Sequence, residues 1–190
     1  MHPLTLACFA ALPLATSQEA VQQQPIIINS VSSNIDYRTN TAVFTGIAVS
    51  QGDTRVTAER ASSTGVGFTN SQWTFAGRVV IVLQPRGTLR ADQASVQFRN
   101  GQVAQVTATG SPAYFEQPRT ESRRSTHGHA DRITYDADRD TVRLDGHAEL
   151  ADERKAEISA PVLEYNVRDE RSLADSPGER RGVHMTITPQ

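Results

Sequence analysis

The chain has 190 residues, with 19 lysines and arginines against 21 aspartates and glutamates, for a net charge of −2. That length fits one domain, and the near-neutral balance excludes the strongly basic surface expected of a nucleic-acid-binding domain. A single cysteine, Cys8, excludes an internal disulfide framework.

Leu4 to Ala15 is an apolar stretch of 12 residues. It is short of the roughly 20 residues that span a bilayer and fits the h-region of a secretory signal peptide. Ala15-Thr16-Ser17 supplies small residues for cleavage, which predicts a signal peptide over residues 1–17 and a mature chain from Gln18. The n-region is weak, with His2 its sole candidate positive charge. Residues 1–17 hold no Lys, Arg, Asp or Glu, so their removal leaves the net charge unchanged. Cys8 falls inside this segment. Lipidation of Cys8 is a poor reading, because only seven residues precede it.

A short N-terminal segment, 18–25, leads into a region, 26–167, that repeats one pattern three times. Each copy is an alternating strand carrying a glycine, a polar turn, and a second strand. The first runs from Asn40 through Gly46 to Val49 and turns at Gln51-Gly52-Asp53. The second runs from Trp73 through Gly77 to Ile81 and turns at Gln84-Pro85-Arg86-Gly87. The third runs from Asp140 through Gly146 to Leu150 and turns near Asp152-Glu153-Arg154. In the third copy Val142, Leu144, Gly146, Ala148 and Leu150 alternate with Arg143, Asp145, His147 and Glu149, the period of a strand with one buried face. Counted from the glycine, Trp73, Phe75, Gly77, Val79, Ile81 and Leu83 take the same face in the second copy, and Ala42, Phe44, Gly46 and Ala48 in the first. The first copy also puts Val43, Ile47 and Val49 on its other face, so both faces are covered or the strand lies at an edge or a partner contact.

Asp36 and Asp136 each end a strand and open a polar turn, and Asn100-Gly101 is a hairpin signal. No stretch carries a helical period with caps. The pattern predicts an all-β fold of antiparallel strand pairs. Gln117 to Thr126 reads as a polar loop, residues 168–182 as a flexible linker, and residues 183–190 as a short last strand and tail.

Catalytic and metal chemistry finds little support. His127-Gly128-His129 beside Asp131 lacks a further ligand at metal spacing and reads as solvated turn residues. His147 and His184 read as surface residues. Asp136, Asp138 and Asp140 approach a calcium-loop spacing without its glycine and late glutamate, so a turn is expected. There is no Gly-x-Ser-x-Gly elbow and no phosphate-cradling glycine loop. The expectation is no enzyme, no catalytic residue, no metal and no cofactor. Arg119, Arg123, Arg124 and Arg132 form a modest cluster, either a solvated loop or a contact for phosphate. The repeat glycines have two readings: room left for something bound between strands, or bulges in a twisted sheet.

Taken in order, the unit from Asp36-Tyr37 through Thr41-Ala42-Val43-Phe44-Thr45-Gly46 to Val56-Thr57-Ala58-Glu59, then Val106 to Gln117, then Gly128 to Asp136, resembles the OstA-like family over roughly residues 26–167. The resemblance implies a twisted, open antiparallel β-jellyroll with an interior that shields the acyl chains of lipopolysaccharide (lipid A). It implies a periplasmic bridge between inner and outer membrane, self-association head-to-tail, and LptC and LptD as partners through strand edges. Within the family, LptC would carry a membrane anchor where this apolar stretch is too short, and LptD would continue into a large barrel. On this reading the groove is lined by Phe44, Phe75, Val79, Ile81, Leu89, Phe98, Val106, Phe115, Ile133, Tyr135, Val142, Leu144 and Ile158. Two rival readings stand beside it: a non-catalytic β spacer that binds only protein partners, and a glycan-acting enzyme on a β scaffold. Strand register is open across residues 62–90.

Overall fold

A computed structural model describes residues 24–65, 67, 69–121, 125–153, 156–176 and 182–187. Residues 1–17, expected to be a signal peptide, and with them Cys8, lie outside these, as do Arg123, Arg124 and Arg154. The described residues form twelve strands and no helix: β1 (Ile27–Asn29), β2 (Ser32–Asp36), β3 (Thr41–Gln51), β4 (Thr54–Thr64), β5 (Asn70–Leu83), β6 (Gly87–Arg99), β7 (Gln102–Gln117), β8 (Thr126–Asp136), β9 (Thr141–Asp152), β10 (Ala156–Asn166), β11 (Arg171–Asp175) and β12 (His184–Ile187). β3 to β10 pair in chain order as an antiparallel meander. β1 and β2 share the outer edge of β3, and β11 and β12 share that of β10. β11 lies inside the stretch that reads as a linker.

The turns follow one recipe. Asp36 Oδ1 accepts the amides of Arg38 and Thr39, Asp136 Oδ1 those of Asp138 and Arg139, and Asn166 Oδ1 those of Arg168 and Asp169. Four residues on, Asn40, Asp140 and Glu170 each take a positive φ that closes the turn.

The long strands bend. Pairing shifts between Thr57 and Arg60 on β4, Ala76 and Val79 on β5, Thr109 and Ala113 on β7, His129 and Arg132 on β8, and Ala160 and Val162 on β10. The bulges fall mid-strand, one beside the next, so the whole sheet creases along one line. A straight strand as long as β7 would reach about 50 Å, yet opposite ends of the sheet touch. Gln117, at one end, receives a hydrogen bond from the Tyr165 hydroxyl at the other, 2.7 Å away. Gln51 Nε2 donates to the Gly101 carbonyl at 3.1 Å across the same gap. The meander is therefore folded over on itself, the rolled sheet that the strand pattern and the resemblance predict.

The repeat glycines sit on the crease. Gly46, Gly77 and Gly146 all have φ between +55° and +81°, so the bulge reading holds for them. In the second and third copies the next residue, Arg78 or His147, is left-handed too, and the apolar phase resumes unchanged at Val79 and Ala148. In β3 Gly46 is left-handed by itself and the phase flips, so Ala42, Phe44, Ile47 and Val49 point inward while Val43 is exposed. That flip explains the two-faced pattern of the first copy.

Candidate functional site

Folding the sheet encloses one apolar interior that runs from β3 to β10. Twelve of the thirteen groove residues predicted from sequence are buried in it, and Ile158 packs against it partly exposed. Alternation holds on each side of the crease; across it the buried phase is kept in β5 and β9 and flips in β3, β4, β6, β7, β8 and β10. The sequence reading put Trp73 on the inward face but left it out of the groove; it is 1% exposed and stacks between Phe44 and Phe75 with ring centroids 5.5 and 6.2 Å away. That reading passed over Leu163, Tyr165 and Val167, buried at the far end. Their period-2 spacing was available in the sequence.

The interior is filled by the chain's own side chains. A cavity beneath Leu83, Phe115 and Tyr135 measures about 10 Å³, room for about one water. The two halves meet along a seam with polar latches. The main one is Asp140, whose carboxylate receives Arg86 Nε at 2.7 Å, the Tyr135 hydroxyl at 3.0 Å and Arg168 Nη2. Burial by itself would raise the Asp140 pKa. Hydrogen bonds from Arg86, Arg168 and Tyr135 outweigh it and hold the group at about 2. Burial and the hydrogen bond to Asp140 push the Tyr135 hydroxyl up, so it stays a donor. A second latch joins Gln117, Tyr165, Thr126 and the Val167 carbonyl.

Beside the Asp140 latch lies an open hollow of about 450 Å³, lined by Gln51, Arg86, Gln102, Asp138 and others, and sharing Leu83, Arg86 and Tyr135 with the apolar cavity.

The histidines lie elsewhere. His127 and His129 are on strand β8 and not in a turn, a correction that follows from the start of β8 at Thr126, before both histidines. His147 Nδ1 lies 2.9 Å from Asp131 Oδ2 at the crease, and Arg78 Nε lies 2.7 Å from Glu59 Oε1 at the matching place in the second copy. Among the described residues no group of His, Cys, Asp and Glu is placed to hold a metal ion. Arg119 pairs with Glu153 at 3.3 Å, and Arg132 is exposed on β8.

The model of the family described as LptA/(LptD N-terminal domain) LPS transport protein matches residues 60–171, from within β4 to the first residue of β11. The chain belongs to this family. No curated protein matches it in sequence. Among solved structures it is similar to LptH, the LptA homologous periplasmic component of the lipopolysaccharide transport device from Pseudomonas aeruginosa, at 20% identity over 87% of this chain and 96% of that one, with a TM-score of 0.48. The span that matches the LPS transport family contains twelve of the thirteen residues expected to line a groove, all but Phe44, together with both seam latches.

Proposed function

We propose that this chain is a periplasmic carrier that takes lipopolysaccharide acyl chains into its folded interior and passes them from the inner toward the outer membrane. The observation that carries this reading is the single apolar interior, continuous from the N-terminal to the C-terminal edge of the sheet, in a member of an LPS transport family. Acyl chains held there gain about 25 cal/mol per Å² of buried apolar area with no directional bond, so they can slide. The halves meet across the seam through side-chain latches in place of a β-ladder, so parting them breaks those polar contacts and uncovers apolar surface that entering acyl chains cover again, while every strand pair stays intact. Lipid entry is that parting.

Both ends of the sheet suit partners that add strands. β2 is exposed along its whole length, and Val31 and Tyr37 flank it; Leu173 and Met185 are exposed on β11 and β12. Apolar side chains beside unpaired strand edges favour β-augmentation, which fits LptC and LptD at the two ends and head-to-tail self-association.

The filled interior favours a second reading, a rigid spacer that touches only protein. Native mass spectrometry of the chain with added lipopolysaccharide separates the two. The carrier binds lipid, and Leu144→Glu, which places an unpaired charge where Leu144 is fully buried, abolishes the lipid-bound mass. A spacer stays lipid-free at every concentration. Because Leu144→Glu costs several kcal/mol of stability, the milder Val79→Thr, a near-isosteric polar change, serves as the second variant and is expected to weaken binding several-fold.

A further inference from the structure

The polar hollow and the apolar interior share a wall. Leu83, Arg86 and Tyr135 line both the 450 Å³ hollow and the small cavity beneath it. A molecule spanning that wall is polar at one end and apolar at the other. The polar end faces carboxamides on both sides of the seam, Gln51 from β3, whose Nε2 donates to the Gln24 and Gly101 carbonyls, and Gln102 from β7, and amide oxygens accept from sugar hydroxyls. It also faces the Arg86 guanidinium, which is 44% exposed although its Nε is engaged by Asp140. The lining itself carries one arginine, Arg86, and one aspartate, Asp138. Asp138 is held by Arg99 at 2.9 Å, and Asp140 by Arg86 and Arg168. With both aspartates held, the exposed part of the Arg86 guanidinium is the group in the hollow that suits an anion.

We infer that this hollow seats a phosphorylated sugar headgroup, with its phosphate on Arg86 and its hydroxyls on Gln51 and Gln102, while the acyl chains of the same molecule enter over Leu83 and Tyr135. The inference rests on the carrier reading and adds to it the place and chemistry of the headgroup. A phosphate on Arg86 competes with Asp140 for the guanidinium, so headgroup binding loosens the latch that holds the seam shut.

Isothermal titration of the full chain tests this with four probes: lipid A, the same lipid stripped of its phosphates, its deacylated phosphorylated disaccharide, and inorganic phosphate. Removing the phosphates is expected to weaken lipid binding about tenfold or more. Arg86→Gln should abolish the difference between lipid A and the stripped lipid, whatever opening the latch does to both. The deacylated disaccharide should bind, and inorganic phosphate should bind far more weakly. Equal binding of lipid A and stripped lipid to the unmodified chain overturns the inference while leaving the carrier reading standing; this comparison needs no variant to fold. A phosphate effect that survives Arg86→Gln overturns the assignment to this hollow. Inorganic phosphate binding as tightly as the disaccharide overturns the headgroup in favour of a free-phosphate site. If neither lipid binds, the carrier reading falls, and the disaccharide decides the hollow: binding keeps it as a sugar-phosphate site and no binding removes it.

Discussion

Asp140 has only 8% of its side chain exposed and still carries its charge, because two arginines and a tyrosine hydroxyl surround it. Its pKa falls from 3.8 to about 2, so folding gains on the order of 2 kcal/mol from its ionised form. The pKa is depressed, so this contribution is present above about pH 4 and disappears as the pH falls through about 2. Asp140→Asn should therefore lower stability at neutral pH by about 2 kcal/mol, and the gap to the unmodified protein should close between about pH 4 and pH 2, read by denaturant melts at each pH. A constant gap over that range would mean Asp140 is held by packing. Sequence could not reveal this residue's role. Asp140 reads as one more turn aspartate, and its partner Arg86 is 54 positions away on another turn. The groove residues were legible because burial on one face of a strand is local and periodic. Leu144 and Val142 announce their face within five residues.

At the scale of the strand, glycines do different work that their φ separates. Gly146 is left-handed, and a Cβ there would meet the Asp131 carboxylate at 2.5 Å, the far end of a side chain able to move. Gly128 lies within β8, and a Cβ there would meet the Glu149 carbonyl oxygen at 2.5 Å, backbone fixed in the neighbouring strand. Gly146→Ala should cost about 1 kcal/mol from strain, and Gly128→Ala about 2–3 kcal/mol, because the β8–β9 ladder must shift to admit it. Thermal melts of the two variants check the order. The reverse order would show that the crease, and not strand contact, is the tighter point. The three repeats and their turns were visible as sequence. The crease was not, since a bulge is defined by two strands together. A single left-handed residue at Gly46 turns the phase of β3, whereas paired ones at Gly77-Arg78 and Gly146-His147 keep it.

For the whole molecule, the fold shows how a sheet with open edges can enclose an apolar interior. Bending the strands at the same level brings two halves of one face together, and the seam stays a set of side-chain contacts. The edges remain at the ends for other strands, and the interior remains continuous between them. The interior could be foretold from alternation together with the resemblance. The seam could not, because it joins turns far apart in the chain. The central claim, that acyl chains occupy this interior, is tested most directly by site-specific photo-crosslinking at neighbouring positions on β7. Phe115 points inward and is 4% exposed; Tyr114 points outward and is 50% exposed. With a photoreactive residue at each position in turn and lipopolysaccharide present, the expected result is a lipid adduct from position 115 and little or none from position 114. Adducts from position 114 alone, or from neither, would contradict lipid in the interior and leave the chain as a spacer between its partners.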